Sequence, residues 1–143
     1  VTEVYEPIVW NESLMTGVGV IDEQHQILVN MINDAHDKLG KNNGRSALEE
    51  IVRDLMSYAL YHFDTEEELM HGYQYPEGER ELHALEHRAF STKVANLQLD
   101  LKQGKLIARN DLLAFLNGWL VNHILKVDMK LGNFLNDAAP KIS

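Results

Sequence analysis

Three spaced pairs in this chain join residue types that bind metal ions: His62-Phe-Asp-Thr-Glu66, His83-Ala-Leu-Glu-His87 and His123-Ile-Leu-Lys-Val-Asp128. His25 adds a further imidazole nearer the N-terminus. Together they offer five imidazoles and two carboxylates, a set of donors sufficient for two cations. The chain has no cysteine, which removes disulfides, thiolate zinc sites and cysteine-ligated iron–sulfur clusters. Nitrogen and oxygen donors without sulfur suit iron, zinc, manganese or copper.

These pairs need helices to aim them. Residues four apart on an α-helix differ by roughly 40° and about one turn of rise, so His62/Glu66 and His83/His87 form preset pincers. His123 and Asp128 are five apart, roughly 140° around an α-helix, a poor pair in isolation. On a helical wheel they fall at opposite edges of the stripe Leu116, Leu120, Ile124, Val127, Leu131 and Leu135. Both then reach the core only if the centre between them is wide, as a two-metal centre is.

Four segments carry the required periodicity. The first runs from about Asp22 to Leu39, with Ile21, His25, Leu28, Ile32, Ala35 and Leu39 on one face, Asp22 as N-cap and Gly40 as stop. The second opens on Ser46-Ala-Leu-Glu49, a capping-box pattern, and carries Leu48, Ile51, Leu55, Tyr58, His62, Glu66 and Leu69 before Gly72. The third follows Pro76, a residue suited to a first helical turn, and carries His83, His87, Phe90, Val94, Leu97 and Leu101 to near Gly104. The fourth runs from an N-cap at Asn110 to about Asn136. Short links between long amphipathic helices predict an all-α, antiparallel up-down-up-down four-helix bundle. The expected organisation is an irregular N-terminal arm over 1–20, including Tyr5, Pro7, Ile8 and Trp10, the bundle over 21–137, and a tail over 138–143.

Composition sets the bounds. At 143 residues, 45% hydrophobic and 24% charged, the chain suits one packed domain. A net charge of −9 with no basic stripe argues against nucleic acid. No stretch is long and apolar enough for a membrane span and no signal pattern opens the chain, so a cytoplasmic location is expected.

A single histidine on an apolar face is ordinarily a hydrogen-bonded core residue. Five such histidines and two carboxylates across four helices, without inward Lys or Arg to neutralise them, are not explained that way. His36 shares the face of His25 but lies eleven residues on, roughly 16 Å along the axis. His71 precedes Gly72, where an imidazolium complements a helix C-terminus. Glu67 and Glu68 are expected on a solvated face, and Glu86 either behind a ligand or simply exposed. His83-Ala-Leu-Glu86-His87 also matches the His-x-x-Glu-His pattern of zinc peptidases, a reading that leaves His25, His62 and His123 unused.

The order first-helix His, His-x-x-x-Glu, His-x-x-x-His, His-x-x-x-x-Asp resembles the hemerythrins of the bacterial type. The likeness runs from about Trp10 to Leu135 and includes Trp-Asn-Glu-Ser at 10–13 and Trp-Leu-Val-Asn-His-Ile at 119–124. It implies two iron ions: His83, His87 and His123 on one, His25 and His62 on the other, with Glu66, Asp128 and a solvent-derived oxo or hydroxo group bridging them. It also implies reversible dioxygen binding at an open position on the second iron, inside a pocket lined by Phe63, Trp119, Leu120 and Ile124. Nitric oxide or small anions are further ligands of such a site. No enzymatic reaction is expected. The alternative role is an oxygen- or redox-sensing domain of a larger signalling protein, with a signalling module as partner if the chain is a fragment. One departure stands out: the family commonly has Tyr three residues after the bridging aspartate, where this chain has Leu131.

Overall fold

The computed structural model describes residues 8–41 and 44–138. Tyr5 and Pro7 of the expected arm and residues 139–143 of the expected tail lie outside them. Among the described residues there are helices and no strands: α1 Gly19–Lys41, α2 Arg45–Gly72, α3 Glu77–Lys102, α4 Arg109–His123 and α5 Met129–Ala138. Between α4 and α5 the chain stays helical but widens into a π-helical segment, Ile124–Asp128, so that α4, this segment and α5 form the fourth rod of a four-helix bundle. α1 packs against α2 and α4, and α2 packs against α3. Phe90 of α3 meets Phe115 and Trp119 of α4.

The apolar stripes face inward as the periodicity demands. Ile21, Leu28, Ile32, Ala35 and Leu39 of α1 are buried, as are Leu48, Ile51, Leu55, Ala59, Phe63 and Met70 of α2. The interior divides into two clusters along the rods. The larger runs through Leu28, Leu55, Phe63, Phe90, Leu116 and Ile124; the smaller joins Val18, Ile21, Met70, Tyr75, Leu131 and Leu135. Along α1, α2 and the fourth rod, the histidines and carboxylates of interest lie at the boundary between these clusters.

Helix ends depart from the expected caps. α1 begins at Gly19, so Asp22 sits in its first turn. Its carboxylate turns back to the arm, accepting from Thr16 N–H (2.7 Å), Thr16 Oγ1–H (2.8 Å) and Gly17 N–H (3.1 Å). The helix also continues through Gly40 to Lys41. The box at Ser46 does not form: the N-cap of α2 is Gly44, two residues earlier, and Glu49 pairs instead with Arg45 at 3.3 Å. Pro76 is the N-cap of α3 rather than in its first turn, and Ala108, not Asn110, precedes α4.

The arm is clamped to the rods it crosses. Ile8 and the Asn33 amide exchange hydrogen bonds at 3.0 and 2.9 Å, and Asn136 Nδ2 donates to Thr16 C=O at 3.1 Å. Gly132 permits that approach, since a Cβ there would lie 2.6 Å from the Thr16 carbonyl oxygen.

Candidate metal centre

All seven residues singled out by spacing converge at the boundary of the two clusters. His25, His62, Glu66, His83, His87, His123 and Asp128 are each at most 2% exposed. Asp128 Oδ2 lies 2.7 Å from His25 Nε2, while Asp128 Oδ1 lies 3.0 Å from His83 Nε2 and 2.9 Å from His123 Nε2. Glu66 Oε1 lies 3.0 Å from His87 Nε2 and 3.3 Å from His62 Nε2. His87 and His123 bring their Nε2 atoms to 3.2 Å of one another.

The α-helical pincers of α2 and α3 behave as helix geometry requires. The fourth rod does not. Its π-helical segment begins directly after His123 and ends on Asp128, and Met129 N–H donates to Ile124 C=O five residues back. An i→i+5 bond widens the turn, so residues five apart line up much as residues four apart do in an α-helix. Instead of straddling the stripe, His123 and Asp128 thus share one inward face, with Nε2 and Oδ1 at 2.9 Å.

Donors gather in two groups. Glu66, His83, His87, His123 and Asp128 form one; His25, His62, Glu66 and Asp128 form the other. Within each group the ligand atoms all lie within 4.8 Å of one another, and the two carboxylates belong to both. The cluster also leaves buried polar atoms without hydrogen bonds: both oxygens of Asp128, Glu66 Oε2, and Nε2 of His25, His62 and His83. Several approach closely yet do not point at one another, the geometry of lone pairs aimed at a common third point. Buried carboxylates in that condition are costly unless a cation joins them. Among the described residues their ion-pair partners are histidines alone. The donor set therefore fits metal ions.

Without a cation, charge within the cluster is unevenly shared. Burial lowers the His62 pKa to about 4, despite the opposing charge of Glu66. At His83 burial also pulls downward, but the carboxylates of Asp128 and Glu66 beside it outweigh it and raise the pKa to about 9. His123 is likewise raised well above its usual value, burial being outweighed by Asp128. Burial pushes Glu66 and Asp128 upward, yet the histidines around them hold both below the ordinary carboxylate range.

Three residues stand behind the cluster: Gln24 went unread in the sequence, Glu67 was misread, and Glu86 takes the first of its two expected places, behind a ligand. Gln24 Oε1 lies 2.8 Å from His62 Nδ1, Glu67 Oε2 lies 2.9 Å from His87 Nδ1, and Glu86 Oε1 lies 3.1 Å from His123 Nδ1. Glu67, expected on a solvated face, is half-exposed but turns one oxygen to a buried ring. A carboxylate only accepts, so Nδ1 of His87 and of His123 donates to it, and Nε2 is the nitrogen each ring would bare toward a cation at the centre. The available signal is adjacency: each partner is the sequence neighbour of one inward residue (His25, Glu66 and His87) and serves a histidine on the next helix. His36 is half-buried and His71 exposed, and neither joins the donor groups.

Beside the cluster is an apolar cavity of about 20 Å³, lined by Leu28, Ile32, Leu55, Ala59, Phe63, Phe90, Leu116, Trp119 and Leu120. Phe63 stacks on His87 (centroids 4.0 Å apart, 11° between planes) and Trp119 on His123 (4.5 Å, 12°). Cavity and cluster share these two rings as a wall. Phe63, Trp119 and Leu120 of the expected pocket border the cavity, while Ile124 is fully buried in the adjoining core. Leu131 is fully buried in the smaller cluster, an apolar contact without a hydroxyl.

A four-helix bundle with a nitrogen-rich, two-group donor cluster at its middle defines a class: helical metalloproteins with a dinuclear centre. The family model of the hemerythrin HHE cation binding domain matches residues 16–135. The chain is 36% identical over 124 residues to the bacteriohemerythrin of Pseudomonas aeruginosa (strain LESB58), covering 85% of this chain and 76% of that one. It is 34% identical to the bacteriohemerythrin of Methylococcus capsulatus (85% and 90% covered) and 30% identical to the hemerythrin of Phascolopsis gouldii (87% and 90% covered). A crystal structure of wild-type hemerythrin superposes with a TM-score of 0.80 at 32% identity, over 88% of this chain and 95% of that one. The chain belongs to the hemerythrin family. A hemerythrin domain binds a di-iron centre, and the buried His/Glu/Asp cluster is suited to hold it. No helix among the described residues is long and apolar enough to cross a membrane.

Proposed function

We propose that this protein binds dioxygen reversibly at a di-iron centre, for carriage, storage or delivery. The observation that carries the reading is the sharing of Glu66 and Asp128 by two unequal donor groups, one with three histidines and one with two. His83, His87 and His123 would hold one iron and His25 and His62 the other, with Glu66 and Asp128 belonging to both donor groups. When bound, the two irons would supply the electrons and the affinity for dioxygen. The chain supplies the rest. Glu67, Glu86 and Gln24 fix the tautomers that turn bare Nε2 atoms inward. Phe63, Trp119 and Leu120 wall an apolar cavity of about 20 Å³, room for one small molecule, against anions. The same wall admits other small uncharged ligands such as nitric oxide.

The test is optical and stoichiometric. Reduced, iron-loaded protein exposed to air is expected to hold two irons per chain and to develop a visible absorption band that fades when oxygen is removed. Immediate irreversible oxidation without such a band overturns the carrier reading. His62→Ala is expected to lose or loosen one iron and His36→Ala to retain both. Full iron content in both variants overturns the ligand assignment.

A further inference from the structure

The histidines of the cluster differ in what stands behind them. In the five-donor group, His87 and His123 are each backed at Nδ1 by a carboxylate, Glu67 at 2.9 Å and Glu86 at 3.1 Å. In the four-donor group, the partner behind His62 is a neutral amide, Gln24 at 2.8 Å. The amide's orientation is fixed by its other contacts. Thr65 Oγ1–H donates to Tyr61 C=O at 3.2 Å, so Thr65 Oγ1 accepts from Gln24 Nε2 at 3.1 Å, leaving Oε1 to accept from His62.

A carboxylate that accepts the Nδ1 proton draws it away from the ring and makes Nε2 a stronger donor to a metal ion. An amide oxygen fixes the same tautomer without the charge. Partners of this kind typically change metal affinity by about 10–100-fold. Glu67 and Glu86 are 45% and 46% exposed, so solvent screens their long-range field. The direct hydrogen bond is what carries the effect.

We propose that these outer partners grade the two metal positions, so that the His83/His87/His123 position fills first and empties last. Glu67 and Glu86 are positioning residues that widen the gap between the two affinities, and Gln24 keeps the His25/His62 position the weaker one. The inference rests on the ligand assignment proposed above. The number of histidines alone favours the same order, so the contribution of the partners is isolated by changing their charge while every ligand stays in place.

The experiment titrates the metal-free full chain with Co²⁺, followed by calorimetry and by the visible d–d absorption of the bound ion. Two separate binding steps are expected. Glu67→Gln and Glu86→Gln each keep an oxygen acceptor and are expected to weaken the first step about tenfold while leaving the second unchanged. Gln24→Glu is expected to tighten the second step about tenfold and close part of the gap. Band intensities that match the unaltered protein show that coordination number is kept and donor strength alone has moved. Equal weakening of both steps, an unchanged first step in both glutamate variants, or an unchanged second step in Gln24→Glu overturns the grading. Uptake of fewer than two Co²⁺ by the unaltered chain instead overturns the ligand assignment, and the grading with it.

Discussion

α2 and α3 carry their donor pairs four residues apart on regular α-helix, whereas the fourth rod carries its pair five apart and changes helix type to do so. The inner ends of all three pairs arrive at one place. Spacing and local helix type thus form a matched set: four residues with an i→i+4 turn, five with an i→i+5 turn. A helix of one kind throughout would have left either His123 or Asp128 at the rim. The widened turn also brings Asp128 onto His25, His83 and His123, so one carboxylate reaches three helices.

The largest effect should come from removing the shared member of each kind of pair. Glu66→Ala on the α side and Asp128→Ala on the π side are each expected to take both metals from the centre, read as metal content per chain after desalting. Two metals retained in either variant breaks the equivalence drawn between the two arrangements.

Deleting Lys126, which is exposed within the widened turn, asks what the fifth residue contributes. With one residue fewer the segment is expected to return to α-helix, with α5 still facing the core. The metal-free protein should then gain stability on the order of 1 kcal/mol, because an irregular turn is relieved. The shortened pair is then four apart on an α-helical turn, so metal affinity should stay within about tenfold of that of the unaltered chain. Thermal melts with and without metal separate the two outcomes, and a deletion that abolishes metal binding breaks the match drawn between spacing and helix type.

A smaller effect, in the metal-free chain, is a stability optimum in pH. His62, facing α-borne Glu66, has its pKa lowered to about 4, so the unfolded chain binds a proton there that the folded chain refuses. That contribution is lost as pH falls from about 6.5 toward 4. His83, against π-borne Asp128, has its pKa raised to about 9, so its contribution is complete below about 6.5 and is lost as pH rises through 9. Melting temperature in a chelator is expected to peak near neutrality and decline on both sides. Adding metal at pH 7 should release protons, since ligation needs a bare Nε2. A flat profile between pH 5 and 9 would mean that the two histidines do not differ as their surroundings require.

What the sequence discloses follows the same division. Inward stripes such as Ile21–Leu39 and the two four-residue pincers are properties of a single helix, and they were legible. The convergence of the seven donors was legible as well, because five histidines and two carboxylates on apolar faces admit few other arrangements, while their division into two groups was carried by the family resemblance. The π segment was not: a five-residue spacing on an assumed α-helix looks like two edges of a stripe. Nor were Glu67 and Gln24, whose roles arise across helices from residues that look solvated on their own. The caps at Asp22 and Ser46 failed for a related reason. Asp22 found three donors in the arm, and Glu49 found Arg45 within its own helix, contacts that compete with capping.

The cluster also partitions the interior. A polar layer crosses the bundle between a large apolar compartment and a small one built on Val18, Ile21, Met70, Tyr75, Leu131 and Leu135. Emptied of cations, that layer is a seam of mutually unsatisfied groups, and the small compartment has little apolar area with which to hold its end of the rods. It is expected to open as a separate foldon, ahead of the rest. Two cations would rivet the seam shut and merge both compartments into one cooperative unit, and amide exchange at this end of the molecule is then expected to slow when metal binds.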